Sequence, residues 1–361
     1  MRKFVVEGTH LAIGNMIGEE FREEMNILLD IFRTRVVTSF FKNMDFEEAF
    51  QELNRSTNLF NNLLKNAPGL FEEIKGMAEA ANINFRELFM LNCLDEVMSY
   101  SNQRRIAEKC TCISIKRKDN NDVFVAQNLD LSTYLNKYQV VLHLKHDDND
   151  TEQLIFASPG YLGYTGVNNK SVAVVPNALT TLRFNAEGMP VSIIVRTILE
   201  KQNAKEAADY VMKTAHGAGQ NYTIGDSGSI YSLECSGYKK EQLEVCENEY
   251  FDYTVHTNHP LKNDDVSLSS EENMPVSSYE STIQRQKTAE KFLKEADYYY
   301  TEGDLKSILT SHEHEPNCIC RHENNNVMTI GSVVYKLTGN IEMNFAKGPG
   351  CINEYEKYTF E

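Results

Sequence analysis

The feature that most constrains the fold is a change of hydrophobic period near residue 109. Before it, apolar residues recur at intervals of three and four, as in Phe21, Met25, Leu28 and Phe32, which indicates amphipathic helices. After it, "CTCISIKR" and "VFVAQNL" are short runs of strand-forming residues joined by the polar turn "DNND", a pattern typical of a β-hairpin. The sequence therefore predicts an all-helical N-terminal segment followed by a region rich in strands.

The order of elements after residue 109 constrains how the sheets are arranged. Further β-type runs follow, with a loop punctuated by Gly160, Gly163 and Gly166, and then two helices that begin near Pro190 and Asn203. A second group of strands, a long helix and two final strands complete the order. Runs of strands separated by helices, without strict alternation, favour sheets that stack on each other and carry helices on their outer faces.

Composition argues against several classes of partner. The chain of 361 residues carries a formal net charge of −16, whereas nucleic acid and anionic membrane surfaces require a basic footprint. It has no apolar run of the roughly 18 residues that a membrane span needs, and "MRKFVVEGTHLAIG" lacks the apolar core of a secretory signal. We therefore expect a cytoplasmic protein with reduced thiols that binds neither nucleic acid nor membrane.

The eight cysteines could be metal ligands, disulfide partners, core thiols or a nucleophile. Cys110 and Cys112 open the first predicted strand, and alternation along a strand places both sulfurs on one face. A second Cys-x-Cys pair lies in a histidine-rich stretch, whose members are Cys318, Cys320, His312, His314 and His322. Zinc sites usually separate paired cysteines by two to four residues, so the spacing favours buried thiols and leaves a Cys/His metal-binding module as an alternative. The other cysteines are interpreted as core residues: Cys93, Cys235, Cys246 and Cys351.

An ordered set of short motifs begins at Cys110. Its members are Cys110-Thr111, "QNLD" (127–130), "HTNHP" (256–260), "STIQR" (281–285), "ICRH" (319–322) and "GPG" (348–350). With this set the chain resembles the acyl-coenzyme A:6-aminopenicillanic acid acyltransferase family of N-terminal nucleophile hydrolases. The resemblance implies an α+β fold, a four-layer αββα sandwich with two antiparallel sheets between helical layers. It also implies a helical pro-segment over residues 1–109 and a catalytic domain over residues 110–361.

The resemblance implies that the chain cleaves itself between Lys109 and Cys110. Cys110 would then be a nucleophile whose own α-amine takes the proton of its thiol. An α-amine has a pKa of about 8, so part of it is neutral near physiological pH, and it shares one rigid residue with the thiol. Residues 1–109 would remain bound as a small subunit.

Four further residues receive roles from the resemblance. Asp130 would orient and charge the amine, and Arg285 would favour the thiolate or bind an anionic group. Asn258 and Asn177 would hold the oxyanion and orient the substrate, which is the usual task of amide donors in acyl transfer. Three positions depart from relatives: Lys109 replaces glycine, Leu129 replaces an aromatic residue, and Gln127 replaces the arginine of choloylglycine hydrolases.

The predicted activity is cleavage or transfer of an acyl group from an amide or thioester through an acyl-Cys110 intermediate. No cofactor and no metal are expected. The alternatives are a plain N-acyl amino-acid amidase of the same fold, the Cys/His metal-binding module, and an inactive scaffold protein. The sequence does not distinguish water from an amine as the acyl acceptor.

Overall fold

The structure is a computed structural model that describes residues 2–41, 44–101, 109–267 and 276–360. The strands within these ranges are β1 (Lys3–Gly8), β2 (Lys109–Arg117), β3 (Val123–Ser132), β4 (Val140–His146), β5 (Glu152–Ala157), β6 (Thr165–Asn168), β7 (Ala173–Ala178), β8 (Gln220–Gly225), β9 (Ile230–Cys235), β10 (Lys240–Gln242), β11 (Cys246–Glu247), β12 (Phe251–His256), β13 (Val327–Lys336), β14 (Glu342–Lys347) and β15 (Glu356–Tyr358).

The helices are α1 (His10–Glu20), α2 (Arg22–Ile31), α3 (Thr38–Phe40), α4 (Phe46–Ser56), α5 (Leu59–Asn66), α6 (Pro68–Ala81), α7 (Phe85–Asn92), α8 (Leu94–Tyr100), α9 (Val191–Ile198), α10 (Ala204–Lys213), α11 (Val276–Lys294) and α12 (Glu302–Leu309). A π-helical segment, Phe32–Val37, joins α2 to α3, and a 3₁₀ helix, Thr133–Lys137, follows β3. None of the helices in the described ranges has the length and apolar character that a membrane-spanning segment requires.

Two stacked sheets organise the described chain. The first has the strand order β1-β4-β5-β6-β7-β8-β9-β10, and the second has the order β11-β12-β2-β3-β13-β14-β15. Strands β2 and β3 of the second sheet contact β7 and β8 of the first. Helices α1, α9 and α10 contact the first sheet, whereas α11 and α12 contact the second. The predicted α+β class and its four-layer αββα arrangement are therefore confirmed.

The apolar side chains form three clusters that correspond to the spaces between layers. One cluster lies between the sheets and contains Cys110, Cys112 and Leu129. A second joins the second sheet to α11 and α12. The third, and most extensive in the described residues, combines the N-terminal helices with β4, β5, β7, α9 and α10. The N-terminal segment thus shares a core with the strand-rich region and does not fold around a core of its own.

The prediction of an all-helical N-terminal segment is wrong at its start. Residues Lys3–Gly8 form β1, which pairs in parallel with β4 at the edge of the first sheet. Only Val6 of this strand is buried, so its local pattern carries little signal for a strand. The glycine-punctuated loop is also shorter than expected, because β6 occupies part of it and pairs with β5 and β7.

Helix α6 holds the N-terminal segment against the first sheet. Gly14 of α1 and Gly76 of α6 lie where any Cβ would overlap backbone atoms of the opposite helix, so the two helices pack in direct backbone contact. This places Glu73 of α6 against Arg196 of α9, whose Nη1 and Nη2 donate to the two carboxylate oxygens at 2.6 and 3.0 Å. Both side chains are fully buried. Burial alone would raise the pKa of Glu73, but the charge of Arg196, together with His10, holds it well below its usual value.

Candidate active site

Cys110 lies at the beginning of β2, directly after the Lys109–Cys110 bond at which cleavage is expected. Strand β2 pairs antiparallel with β3, which places Lys109 opposite Asp130 and Cys110 opposite Leu129. Side chains alternate along a strand, and Cys110 packs in the cluster between the two sheets with only 3% of its surface exposed. By the same alternation Lys109 and Asp130 belong to the opposite face, towards α11 and α12.

The backbone nitrogen of Cys110 is held by a side chain from another segment. It donates to Asn258 Oδ1 at 2.7 Å, and this is the nitrogen that cleavage would convert into an α-amine. Asn258 is fixed in turn, because its own backbone nitrogen donates to Thr282 Oγ1 at 2.7 Å and its Nδ2 donates to the Ala178 carbonyl at 3.1 Å. The asparagine therefore connects β2, β7 and α11 at one point.

Arg285 of α11 surrounds the same residue from the other side. Its Nη1 donates to the Cys110 carbonyl oxygen and, at 3.0 Å, to Thr111 Oγ1, while its Nη2 donates to Asn258 Oδ1 at 2.9 Å. The guanidinium is fully buried. Burial lowers the pKa of Arg285 to about 10, an effect that the nearby Asp130 charge partly offsets. Arg285 thus stays cationic at neutral pH and supplies positive charge beside Cys110.

Asp130 is a fully buried carboxylate with one uncommitted oxygen. Thr329 Oγ1 donates to its Oδ1 at 2.7 Å, whereas Oδ2 accepts no hydrogen bond from the described residues and lies 3.9 Å from Arg321 Nε. Burial raises the pKa of Asp130 to about 6, against the opposing effects of Arg285, Arg321 and the Thr329 hydroxyl. The group is ionised at pH 7, and its free oxygen gives it capacity to accept another donor.

Lys109, the residue before Cys110, is partly buried beside these charges. Burial, with smaller contributions from Arg321 and Arg285, lowers the pKa of Lys109 to about 8, while Asp130 acts in the opposite direction. A lysine in this setting is partly neutral near physiological pH.

Asn177 lies apart from the group that contacts the Cys110 backbone. Its Nδ2 donates to the Thr257 carbonyl and lies 2.9 Å from His256 Nδ1, and its Oδ1 accepts from Asn221 at 3.0 Å. His256 is fixed on its other side by Glu234, at 2.8 Å. The structure therefore brings Cys110, Asn258 and Arg285 into direct hydrogen-bonded contact, whereas Asn177 meets Cys110 only along the wall of a common cavity.

That cavity has a volume of about 70 Å³ and opens beside Cys110. Its wall is mainly apolar and aromatic, and it includes Leu129, Leu131, Tyr134, Leu135, Tyr161, Tyr164, Pro176, Ala178, Val191 and Val195. Four lining residues come from the N-terminal segment: Val36, Leu94, Asp95 and Met98. A polar pair completes the wall, where Gln220 Nε2 donates to Asp95 Oδ1 at 2.7 Å. The cavity is thus assembled from both sides of the Lys109–Cys110 bond.

Three residues of the site were not predicted individually. Arg321 belongs to the "ICRH" motif and Thr282 belongs to the "STIQR" motif, but neither motif assigns them a role. Thr329 belongs to no motif. Arg321 N donates to Thr329 Oγ1 at 2.9 Å, which connects the arginine to Asp130 through one hydroxyl. The available signal for Arg321 is its place in a motif. Its burial beside the carboxylate of Asp130 is not visible in the sequence.

The cysteines divide into distinct environments. No disulfide links any of the eight, all of which lie within the described ranges. Cys112 is a core thiol: its Sγ lies 3.8 Å from the Val175 carbonyl, and burial raises its pKa far above the usual value. The interpretation as core residues is wrong for Cys246, which is exposed, and for Cys351, which is half-buried. Cys246 begins the two-residue strand β11 and Cys351 lies in the turn after β14, and strand-like spacing in such short or irregular segments does not imply burial.

Comparison with known proteins gives one family match. The family model described as acyl-coenzyme A:6-aminopenicillanic acid acyl-transferase matches residues 116–343, which is more than half of the 361 residues. The matched range includes Asp130, Asn177, Asn258 and Arg285 and begins after Cys110.

The individual proteins that the chain resembles share 13% to 25% sequence identity with it. The 40 kDa form of acyl-coenzyme A:6-aminopenicillanic-acid-acyltransferase from Emericella nidulans is 25% identical over 276 residues, which are 75% of this chain and 72% of that protein. A variant of conjugated bile acid hydrolase from Clostridium perfringens aligns with a TM-score of 0.44 at 13% identity, covering 70% of this chain and 97% of that one. Penicillin V acylase from Agrobacterium tumefaciens aligns with a TM-score of 0.37 at 13% identity, covering 66% and 83% respectively.

Proposed function

Since the chain belongs to the acyl-coenzyme A:6-aminopenicillanic acid acyl-transferase family, we propose that it is a self-cleaving cysteine enzyme that hydrolyses or transfers acyl groups through Cys110. The observation that carries this proposal is the environment of the Cys110 backbone. Its nitrogen is bound by Asn258 and its carbonyl by Arg285, so the atoms on both sides of the Cys110 Cα are held by buried polar groups. A structural cysteine on a strand would need only ladder partners.

Activation breaks the peptide bond between Lys109 and Cys110. The Cys110 sulfur attacks the Lys109 carbonyl carbon, a C–S bond replaces the C–N bond, and the thiol proton passes to the departing nitrogen. This step frees the α-amine of Cys110, and water then hydrolyses the thioester, which leaves a carboxylate on Lys109 and restores the thiol. Asn258 Oδ1, at 2.7 Å from that nitrogen, is positioned to accept a hydrogen bond from the new amine.

In turnover the α-amine serves as the base and Asp130 as its counter-charge. An α-amine of pKa about 8 exchanges protons readily near neutral pH, and the thiol already ionises to a small extent. Asp130 sits across the β2–β3 pairing from Lys109, with its Oδ2 uncommitted among the described residues. Removal of the Lys109 linkage would let the cationic amine approach that oxygen, which is the favourable pairing for a buried charge.

Asn258 also supplies a donor for the developing oxyanion. A side-chain amide carries two N–H hydrogens, and one of them is used by the Ala178 carbonyl. The other donates to none of the described residues, and the oxygen of the same amide lies 2.7 Å from the Cys110 nitrogen. A preorganised amide donor at this point stabilises the negative charge on the carbonyl oxygen during attack and during release of the acyl group.

The acyl group of the substrate is proposed to occupy the cavity beside Cys110. Its lining of leucine, valine and tyrosine side chains favours an apolar or aromatic acyl chain. Because Leu94 and Met98 of the N-terminal segment contribute to that lining, the fragment 1–109 is proposed to remain as a subunit that completes the binding site after cleavage.

The decisive experiment is the intact mass of freshly purified protein under denaturing conditions, with Cys110→Ala and Cys112→Ala measured beside it. The two cysteines share a strand, a face and near-complete burial, so Cys112→Ala is a matched control. We expect fragments that end at Lys109 and begin at Cys110 for the wild type and for Cys112→Ala, and an intact chain for Cys110→Ala. Chromogenic acyl amides then test turnover. An intact wild-type chain that is inactive towards those amides would refute the proposal.

A further inference from the structure

A second group of reactive side chains lies away from the cavity, where the segment after α12 meets the turn after β14. It consists of His312, His322 and Cys351, and one ligand atom of each lies within 4.8 Å of the others. His312 Nε2 and His322 Nε2 are 3.2 Å apart, and Cys351 Sγ is 3.4 Å from His322 Nε2. The two imidazoles are exposed and the thiol is half-buried, so an ion from solvent can reach all three atoms.

The separations match those of ligands around a single zinc ion. Zn–N bonds of about 2.0–2.1 Å and a Zn–S bond of about 2.3 Å, in tetrahedral geometry, place two nitrogens about 3.3 Å apart and a nitrogen and a sulfur about 3.6 Å apart. The observed distances of 3.2 and 3.4 Å differ from these by only a few tenths of an ångström. One hydrogen bond between the imidazoles would explain their contact, but it would not draw the thiol to the same nitrogen.

We propose that His312, His322 and Cys351 form a binding site for Zn²⁺ or a similar borderline-soft divalent cation. Imidazole and thiolate together select this class of metal over Mg²⁺ and Ca²⁺, which prefer oxygen ligands. Binding replaces the thiol proton of Cys351 with a bond to the metal and releases that proton to solvent. The fourth position is open to water, because Cys320, whose Sγ lies 3.5 Å from Cys351 Sγ, is fully buried.

The site would fix the segment that carries Arg321. This arginine lies between Cys320 and His322 in sequence, and its Nε is 3.9 Å from the buried carboxylate of Asp130. Tethering His322 to the C-terminal turn limits the movement of the adjacent residue, so a bound metal would stabilise the position of Arg321. Binding itself does not depend on the proposed acyl-transfer function, because no ligand belongs to the Cys110 site.

Cobalt titration of the reduced, full-length protein tests the proposal. We expect one equivalent of Co²⁺ to bind with a thiolate charge-transfer band, and Zn²⁺ to displace it while raising the melting temperature. Cys351→Ser should abolish that band. His322→Ala should weaken affinity by at least about 100-fold, since even the loss of an outer-shell partner costs roughly 10- to 100-fold.

Matched controls are available in the same chain. Cys246→Ser removes an exposed cysteine outside the cluster, and His314→Asn removes a neighbouring histidine at a positive φ of 67°, which asparagine tolerates. Both should bind Co²⁺ like the wild type. Melting temperatures in the presence of a chelator identify any variant that has lost its fold, and the near-isosteric Cys351→Ser then decides the result. Absence of a charge-transfer band in the wild type, or equal affinity in Cys351→Ser, would overturn the proposal.

Discussion

Arg285 and Cys110 share one acceptor atom: the guanidinium Nη2 donates to Asn258 Oδ1 at 2.9 Å, and the same oxygen accepts the Cys110 backbone N–H at 2.7 Å. A cation on the far side of a carbonyl oxygen polarises it and orients the amide, so the arginine determines which end of Asn258 faces Cys110. The arrangement connects α11 to the proposed cleavage site through two side chains, both buried. Substitution of either side chain should therefore change the rates of self-cleavage and of turnover.

Replacement of Arg285 by lysine should slow both self-cleavage and turnover. A single ammonium cannot reproduce the planar fork that reaches the Cys110 carbonyl, Thr111 Oγ1 and Asn258 Oδ1 together. Loss of one buried, charge-assisted hydrogen bond costs about 1.5–3 kcal/mol, which corresponds to a decrease of roughly 10- to 150-fold in rate. Rate constants for fragment appearance and for acyl amide hydrolysis give the comparison. Arg183→Lys, at an exposed ion pair with Asp265, should leave both unchanged.

Two substitutions at Asn258 should separate its role in the precursor from its role in turnover. Asn258→Asp keeps an oxygen that can accept the Cys110 N–H, whereas Asn258→Ala removes it, so self-cleavage should persist better in the aspartate variant. Both lose the amide donor, and kcat should fall by roughly 10²- to 10³-fold in each. Fragment ratios on denaturing gels and kcat on processed enzyme supply the two readouts. Normal kcat in Asn258→Asp would remove the oxyanion role.

Asp130 should make the precursor less stable as the pH rises. Its pKa is raised by burial from a model-compound value of 3.8 to about 6, so the native state holds the proton more tightly than the unfolded chain. That stabilisation is complete below about pH 4 and is lost as the pH rises through 6, and a shift of about two pKa units corresponds to about 3 kcal/mol. Urea unfolding of Cys110→Ala with and without Asp130→Asn should show this difference. Parallel pH profiles for the two proteins would contradict it.

The buried pair of Glu73 and Arg196 should control retention of the N-terminal fragment. Glu73→Gln leaves the guanidinium without its counter-charge, and breaking such a pair from one side typically costs about 3–5 kcal/mol. We expect the processed variant to lose its fragment during size-exclusion chromatography, whereas the wild-type fragments elute together. Glu72→Gln is the adjacent control, because its partner Lys75 is a surface residue with 39% of its side chain exposed. Elution of both Glu73→Gln fragments as one complex would show that apolar packing alone suffices.

Local sequence patterns predicted the parts of the fold that depend on near neighbours. The switch of period at residue 109 correctly located the β2–β3 hairpin and placed Cys110 on its first strand. Asn258 and Arg285, which belong to two of the motifs, lie in hydrogen-bonded contact. The missed strand β1 pairs with β4, more than a hundred residues away in sequence, and such pairing leaves no local periodicity. Arg321 was missed for a related reason, because its contact with Asp130 depends on how the segment after α12 passes over β3.

The cluster at Cys351 shows the same limit from another direction. Residues 312–322 are rich in histidine, and their Cys-x-Cys pair, Cys318 and Cys320, is the local pattern that indicates metal ligands. Cys318, however, donates to the Cys320 carbonyl at 2.9 Å, and the thiol that approaches the imidazoles comes from the turn after β14. The proposed ligands extend from residue 312 to residue 351, in a segment that follows a helix and a turn that follows a strand, so they have no contiguous signature.

The position of β1 at the edge of the first sheet has a consequence for the molecularity of folding. Before scission the strand and its partner β4 belong to one chain, so the sheet forms in a unimolecular process. After scission at Lys109 the same pairing joins two polypeptides, and refolding would require a second-order encounter between them. The processed protein would then depend on concentration for its recovery after unfolding, and its persistence at high dilution would be set by the rate at which it unfolds.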